Sequence, residues 1–501
     1  MHIVGEVTVM EFANLYFLYI LLPLTLLIYF LMPDVRRKNM VLLVVSLLFY
    51  AMGQPIYLAL LVGLSYTNYK FAMKIKTGDR KSLILPIAMN IGVLALFKYL
   101  DFILGLVGIT TEHGLLLGML KGLVNGLNSI GFSFAEPTTV LPIGISFYTF
   151  SVISYLADVY TQKVKAEKNL LNFLLYITMF PKMLQGPIVR YEQVQKQLNE
   201  RKTNPRLIFE GALRFTVGLA KKVLLADYCG KVVSELASGG DQALIGAWLS
   251  AIMFMFQIYF DFAGYSDMAI GLGKIFGFKY CENFDLPYTS TSITEFWRRW
   301  HMSLGSFFRD YVYIPLGGNR RGKVRQIINL FAVWALTGLW HGASWNYVLW
   351  GIYFFVLLSA EKLLMKQLEE LPKMLRNFLT MLLILFGWVL FSHEDFTALG
   401  SAIGAMFGFG GFTSTGIWTK LLNCLPLLLV CWLGASSLPR TAAQIWAGVC
   451  GMVGKRRRSN SVDLMKVAYV ASCFVFMCLL LWLCTVSLVG STSAPSLYSN
   501  F

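Results

Sequence analysis

The chain has 501 residues, of which 56% are hydrophobic, 15% aromatic and only 14% charged, with a mean hydropathy of +0.61. Soluble domains run nearer a quarter charged and disordered chains are far less apolar, so both classes are excluded. Lys+Arg number 43 against 27 Asp+Glu, a net charge of +16. A nucleic-acid binder would show such a surplus too, but here the cations fall in short blocks between apolar runs, which is the pattern of loops kept on the inner side of a membrane.

About 20 mostly apolar residues span a bilayer. Residues 15–32 qualify, and with no basic leader or small-residue cleavage site before them they are expected to remain as a first membrane helix. Arg36, Arg37 and Lys38 follow at once, placing the N-terminus outside and the first loop inside. Residues 40–52 and 56–73 go out and back to Lys74, Lys76, Arg80 and Lys81, and 82–107 cross outward. The Gly-rich stretch 108–138 reads as an outer loop with an interfacial helix, and 141–160 return to Lys163, Lys165 and Lys168. Residues 170–206 carry one short apolar run with basic flanks on both sides, which suits a re-entrant segment broken at Pro181 and Gly186. Crossings are then expected at 208–226, 243–262, 327–339, 348–364, 378–391, 421–433 and 466–489, with a long polar, aromatic and basic inner stretch at 271–322. The count ends with the C-terminus outside.

The eight cysteines make no Cys-x-x-Cys pair, so no metal is expected and small buried hydrophobes are the simpler role. "GLGKIFG" at 271–277 misses the dinucleotide-binding spacing and reads as helix packing, and "GYSDM" is not a nucleophile elbow.

Five histidines remain. His2, His113 and His393 lie near termini or outer loops in polar company. His341 sits in "LTGLWHGASWNYVLWG", among glycines that permit close backbone approach and the walls Trp340 and Trp345. An apolar setting favours the neutral imidazole, which can accept a proton, although a hydrogen-bonded core histidine would look the same. In "SITEFWRRWHMSLGSFFRDYVYIPLGGNRRGK", helical spacing puts Trp297, Trp300 and His301 on one face, with Arg298, Arg299, Arg309, Arg320 and Arg321 gathered around. That cluster suits the phosphates of an anionic donor, or else a snorkelling interface helix.

These segments, with "YFDFAGYSDMAIGLGKIFGF", "ENFDLPYTSTSITEFWRRWH", "LPIGISFYTFSVISYLADVY" and "FPKMLQGPIVRYEQ", resemble the bacterial membrane-bound O-acyltransferase family over roughly residues 12–395. The "IPLGGNRRG" piece at 314–322 is more similar to the alginate O-acetylation branch than to the teichoic-acid D-alanyl transfer branch. The resemblance implies an all-α polytopic protein of about 11–12 transmembrane helices, with re-entrant and interfacial helices around a central tunnel. It implies one domain over 1–501, with an inner donor-side segment at 279–322 and an extracytoplasmic tail at 490–501.

The same resemblance makes His341 the catalytic residue and His301 the second signature histidine, with Trp297, Arg298, Trp300, Arg309, Asp310, Trp340 and Asn346 as substrate-binding candidates. It implies no bound cofactor, a donor that is acetyl-CoA or a phosphopantetheine carrier protein, an extracytoplasmic SGNH-type partner, and a bacterial cytoplasmic membrane. The tail "APSLYSNF" resembles a short aromatic motif carrying an acyl-accepting tyrosine, here Tyr498, though serines replace some aromatics and an ordinary tail would read alike. Acetyl transfer to a cell-surface polysaccharide is thus expected, with D-alanyl transfer to teichoic acid or a non-enzymatic flippase as rivals.

Overall fold

The structure, a computed structural model, describes residues 11–108, 115–130, 141–238, 243–456 and 464–490. Every regular element among them is helical. The first group comprises α1 (Leu22–Leu31), α2 (Val35–Gly53), α3 (Leu58–Lys74), α4 (Arg80–Leu106), α5 (Leu115–Ser129) and α6 (Ile145–Tyr160). Then come three short helices, α7 (Leu170–Thr178), α8 (Phe180–Met183) and α9 (Tyr191–Glu200), followed by α10 (Pro205–Ala220), α11 (Asp227–Ser238) and α12 (Leu244–Ile275). The aromatic segment folds into α13 (Ile293–Arg299) and α14 (Met302–Phe308). The remainder forms α15 (Lys323–His341), α16 (Trp345–Glu370), α17 (Lys373–Ser392), α18 (Phe396–Met406), α19 (Ile417–Ala435), α20 (Leu438–Arg456) and α21 (Leu464–Gly490).

Short polar residues start these helices where the chain turns. Asp34 accepts from the Arg37 amide, Asn204 from Leu207 with Pro205 behind it, and Ser292 from Glu295, each at 2.8–3.0 Å. Such caps satisfy first-turn N–H groups that have no intrahelical partner.

Among the described residues, six helices are long and apolar enough to cross a membrane: α4, α12, α17, α19, residues Trp345–Leu364 of α16 and Val467–Gly490 of α21. All six coincide with expected crossings. The chain is a multi-pass membrane protein, and its outward residues are apolar, with Leu27, Ile84, Leu85, Val470 and Trp482 each more than 45% exposed. The other expected crossings fall on helices that are shorter or carry cations in their first turn, such as α2 and α15.

Helix α12 is the central post, against which α10, α11, α17, α18 and α19 pack. Two glycine pairs let α10 and α12 touch backbone to backbone. A Cβ on Gly218 would stand 2.6 Å from the Gly264 carbonyl oxygen, and one on Gly211 would stand 2.7 Å from that of Gly271. This contact corrects one expectation: the helix does not stop at Phe262 but continues through "GYSDMAIGLGK" to Ile275. Its polar residues stay because they are satisfied, Asp267 accepting from Arg214 at 2.8 Å and from Lys221 at 2.6 Å.

Residues 171–189 are almost wholly buried against protein. The helix there breaks at Met179, before Pro181, which instead sits in the first turn of α8. The Phe180 amide donates to Ser46 Oγ and the Ile188 amide to Ser303 Oγ, each at 3.0 Å. Between the crossings expected at 421–433 and 466–489 the chain forms a further helix, α20, which lies against α21, with Trp446 Nε1 donating to Ser472 Oγ at 3.1 Å.

Candidate active site

Helix α15 ends at His341, and the chain turns through Gly342, Ala343 and Ser344 into α16. The hairpin is tight because Gly351 of α16 faces the Trp334 carbonyl, where a Cβ would meet the oxygen at 2.5 Å. His341 is thereby 5% exposed inside an aromatic enclosure. Its ring centroid lies 4.6 Å from Trp340, 4.8 Å from Trp350, 5.1 Å from Phe391 and 6.4 Å from Tyr347. Asn346, fully buried, donates to the Phe391 carbonyl at 3.0 Å and ties α16 to the end of α17.

His301 is placed by a different device. The expected helical face of Trp297, Trp300 and His301 does not form: α13 stops at Arg299, Trp300 is extended, and His301 has φ +43°. A non-glycine residue in this left-handed region costs energy and persists only where the surroundings hold it. The holding residue is Asn283. His301 Nδ1 lies 3.0 Å from Asn283 Oδ1, Ser303 Oγ donates to the same oxygen at 2.8 Å, and the Met302 amide donates to the Asn283 carbonyl at 2.9 Å.

The Ser303 amide, which can only donate, reaches Asn283 Oδ1 at 3.3 Å and so makes Oδ1 an acceptor, leaving Nδ2 to donate to Ser266 Oγ of α12 at 3.0 Å. The proton of the neutral imidazole is therefore on Nδ1, and the buried Nε2, which has no hydrogen-bond partner among the described residues, presents a lone pair. Burial pushes the His301 pKa down to about 3, so the ring is neutral. Neither Asn283, Ser266 nor Ser303 stood out in the sequence. The "ENFDLPY" motif that contains Asn283 was the available signal, but nothing in its spacing pointed to His301.

One indole joins the two histidines. The Trp340 ring lies 4.6 Å from His341 and 5.9 Å from His301, with Phe147 and Phe150 about it at 6.1 and 5.9 Å. Phe262 closes on His301 from α12 at 4.6 Å. Trp297 and Trp300 belong to the surrounding aromatic packing: Trp297 reaches Trp350 at 5.5 Å, and Trp300 reaches Trp388 at 4.8 Å. The structure thus gathers His301, His341, Trp340 and, through Trp350, Trp297.

It does not gather the arginines around His301. Arg309 is largely exposed and bridges Asp310 at 2.7 Å, and Asp310 is also bridged by Arg190 at 2.7 Å. Arg299 pairs with Glu295 at 2.7 Å, while Arg320 and Arg321 lie on the exposed turn beyond Tyr313. Sequence proximity to His301 fails as a guide because the helix breaks at the strained residue. Arg298 lines a separate cleft of about 540 Å³ between α13, α16 and α17, with Arg376, Glu361 and Glu295. A second, apolar cavity of about 480 Å³ has Trp340, Tyr99 and Phe308 in its wall. Tyr498, like His2 and His113, lies outside the described residues.

The membrane-bound O-acyltransferase family model matches residues 20–394. The chain is 39% identical over 408 residues to a probable alginate O-acetylase of Pseudomonas syringae pv. tomato, covering 80% of this chain and 76% of the relative. It is 32% identical over 451 residues to a peptidoglycan O-acetyltransferase of Helicobacter pylori, covering 81% of each. A teichoic acid D-alanyltransferase of Bacillus subtilis is 29% identical over 273 residues, covering 51% of this chain and 69% of the relative.

Proposed function

The chain belongs to the membrane-bound O-acyltransferase family and is an O-acyltransferase; from this we propose that it moves acetyl groups from a cytoplasmic thioester, acetyl-CoA or an acyl-phosphopantetheine carrier, to O-acetylate a cell-surface polysaccharide. The observation that carries the reading is the enclosed His341 imidazole, joined through the Trp340 indole to a second buried imidazole whose Nε2 is free to accept. In this scheme His341 takes the proton of an attacking hydroxyl. The oxygen adds to the thioester carbonyl, the C–S bond breaks, and the departing thiolate takes up the proton.

His301 serves on the donor side, with Arg298 reading the donor's phosphates and Trp340, Trp297, Trp300 and Asn346 shaping the passage. Arg309 and Asp310 belong to the rim of the same inner segment, 279–322. A tunnel past Trp340 would connect the inner donor to an outer acceptor, with both chain termini outside the cytoplasmic membrane. An SGNH-type protein outside would complete the transfer to the glycan. The acetyl reading is supported over D-alanyl transfer by relatives named as acetylases that align over about four-fifths of the chain, against half for the D-alanyltransferase.

The test is acyl transfer from labelled acetyl-CoA in reconstituted vesicles. The wild type should form an acyl ester, and His341→Ala should form none while keeping its expression and melting temperature. A flippase would move substrate without leaving an ester, and a His341→Ala protein of full activity would end the catalytic assignment.

A further inference from the structure

Helix α4 faces lipid along most of its length, yet it carries one lysine in its apolar run, Lys98. A charge near the middle of a spanning helix costs about 2.5–3.5 kcal/mol on insertion scales, so such a residue calls for a compensating contact. Its contact is with the helix that ends in His341. Lys98 Nζ donates to the Trp340 carbonyl oxygen, and the hydroxyl of the next residue, Tyr99, donates to the Leu339 carbonyl.

These two carbonyls lie in the last turn of α15, where the helix can supply no amide because the chain becomes extended at Gly342. A cation there also meets the negative end of the helix dipole. The ammonium further lies 5.8 Å from the centre of the Trp340 ring, the indole that both histidines touch. Four residues on, Phe102 packs against Trp345 at 5.9 Å, on the far side of the hairpin. Helix α4 therefore grips the His341 hairpin by its last α15 carbonyls and by the first residue of α16.

We propose that Lys98, assisted by Tyr99, is a positioning residue that caps α15 and fixes the His341 imidazole and the Trp340 indole relative to the reacting groups. The inference rests on the reading of His341 as the base. Lys98 touches the backbone of Trp340 and acts through it. Misplacing a reacting group by about 1 Å can cost about 10²-fold in rate, which is the scale of loss expected when the clamp is released.

The experiment compares Lys98→Met, Lys98→Arg and Tyr99→Phe in the full chain, in vesicles supplied with labelled acetyl-CoA, alongside melting in detergent and a His341→Ala control. Lys98→Met should lower kcat about 10²-fold with the donor KM within about twofold of wild type. Lys98→Arg, which restores a cationic donor, should recover most of that loss, and Tyr99→Phe should fall between. Wild-type kcat in Lys98→Met overturns the proposal. So does a loss in Lys98→Met that Lys98→Arg does not reverse although both melt alike. If Lys98→Met fails to fold, kcat in Tyr99→Phe decides: a fall at unchanged KM and melting temperature supports the clamp, and no fall rejects it. An active His341→Ala protein would instead sink the underlying reading of the base.

Discussion

Asn283 decides which nitrogen of His301 carries the proton. Its Oδ1 sits 3.0 Å from Nδ1, and its own amide is oriented by the Ser303 N–H, which can only donate to that oxygen. Asn283→Leu should therefore release the ring and lower acyl transfer by about 10²-fold, near the lower end of what a positioned acid–base group contributes. Asn283→Asp keeps an acceptor at the same place, and the Ser266 hydroxyl can donate in turn, so it should recover most of the rate. Equal rates for the two variants in the vesicle assay would remove the orienting role.

Two arginines close in sequence to His301 should behave differently. Arg309 is exposed and already paired with Asp310, and exposed pairs are worth at most about 1 kcal/mol. Arg309→Ala should stay near wild type. Arg298 faces the 540 Å³ cleft, so Arg298→Ala should raise the KM for acetyl-CoA, by a factor that shrinks as salt screens the attraction. The donor-dependence of initial rates at two ionic strengths checks both.

The Asp310 carboxylate links two segments, since Arg190 follows the buried 171–189 stretch and Arg309 follows α14. Burial alone would raise its pKa, but hydrogen bonds and charge from Arg309 and Arg190 hold it below its ordinary value. A carboxylate lowered in the folded state contributes stability above the unfolded value, about 3.9, and loses it as pH falls through the folded one. Asp310→Asn should lower the melting temperature at pH 7, and the gap to wild type should narrow as pH falls below about 4. A gap that stays constant down to pH 3 would mean that the bridge is not what the carboxylate supplies.

The tail motif makes Tyr498 a candidate to relay the acyl group to an outside partner. A phenol with pKa near 10 needs a base to attack a thioester, and His341 would provide it. Mass spectrometry of the C-terminal peptide after donor addition should show an acyl adduct on Tyr498 that is missing in His341→Ala. A Tyr498→Phe protein transferring at the wild-type rate would return the tail to an ordinary one.

The crossings were the most legible part of the fold, because a bilayer imposes a length and polarity that any apolar run either meets or fails. Helices α4, α17 and α21 lie within a few residues of the expected spans. The end of α12 was not legible: Ser266 and Asp267 read as an exit into a loop until Asn283, Arg214 and Lys221, all distant in sequence, supply their partners. At the site, motif and local chemistry reached His341, Trp340 and His301. Periodicity then misassigned the company of His301, since a left-handed residue held by tertiary hydrogen bonds breaks every helical spacing through it. The arginine cluster failed for a related reason: charge counted along the chain says nothing about which acidic side chain neutralises it.

The aromatic enclosure of His341 also has an optical consequence. Trp340 and Trp350 flank the imidazole, Trp297 and Trp388 lie against Trp350, and Trp334 and Trp300 extend the set at 4.9 and 4.8 Å. Six of the twelve tryptophans in the chain thus belong to one array around a single imidazole. Indole emission responds to charge and polarity within a few ångströms, and packed indoles pass excitation among themselves. The ultraviolet fluorescence of the unlabelled protein is therefore weighted toward the site, and donor entry or a change in the protonation of His341 should be readable from it without any attached dye.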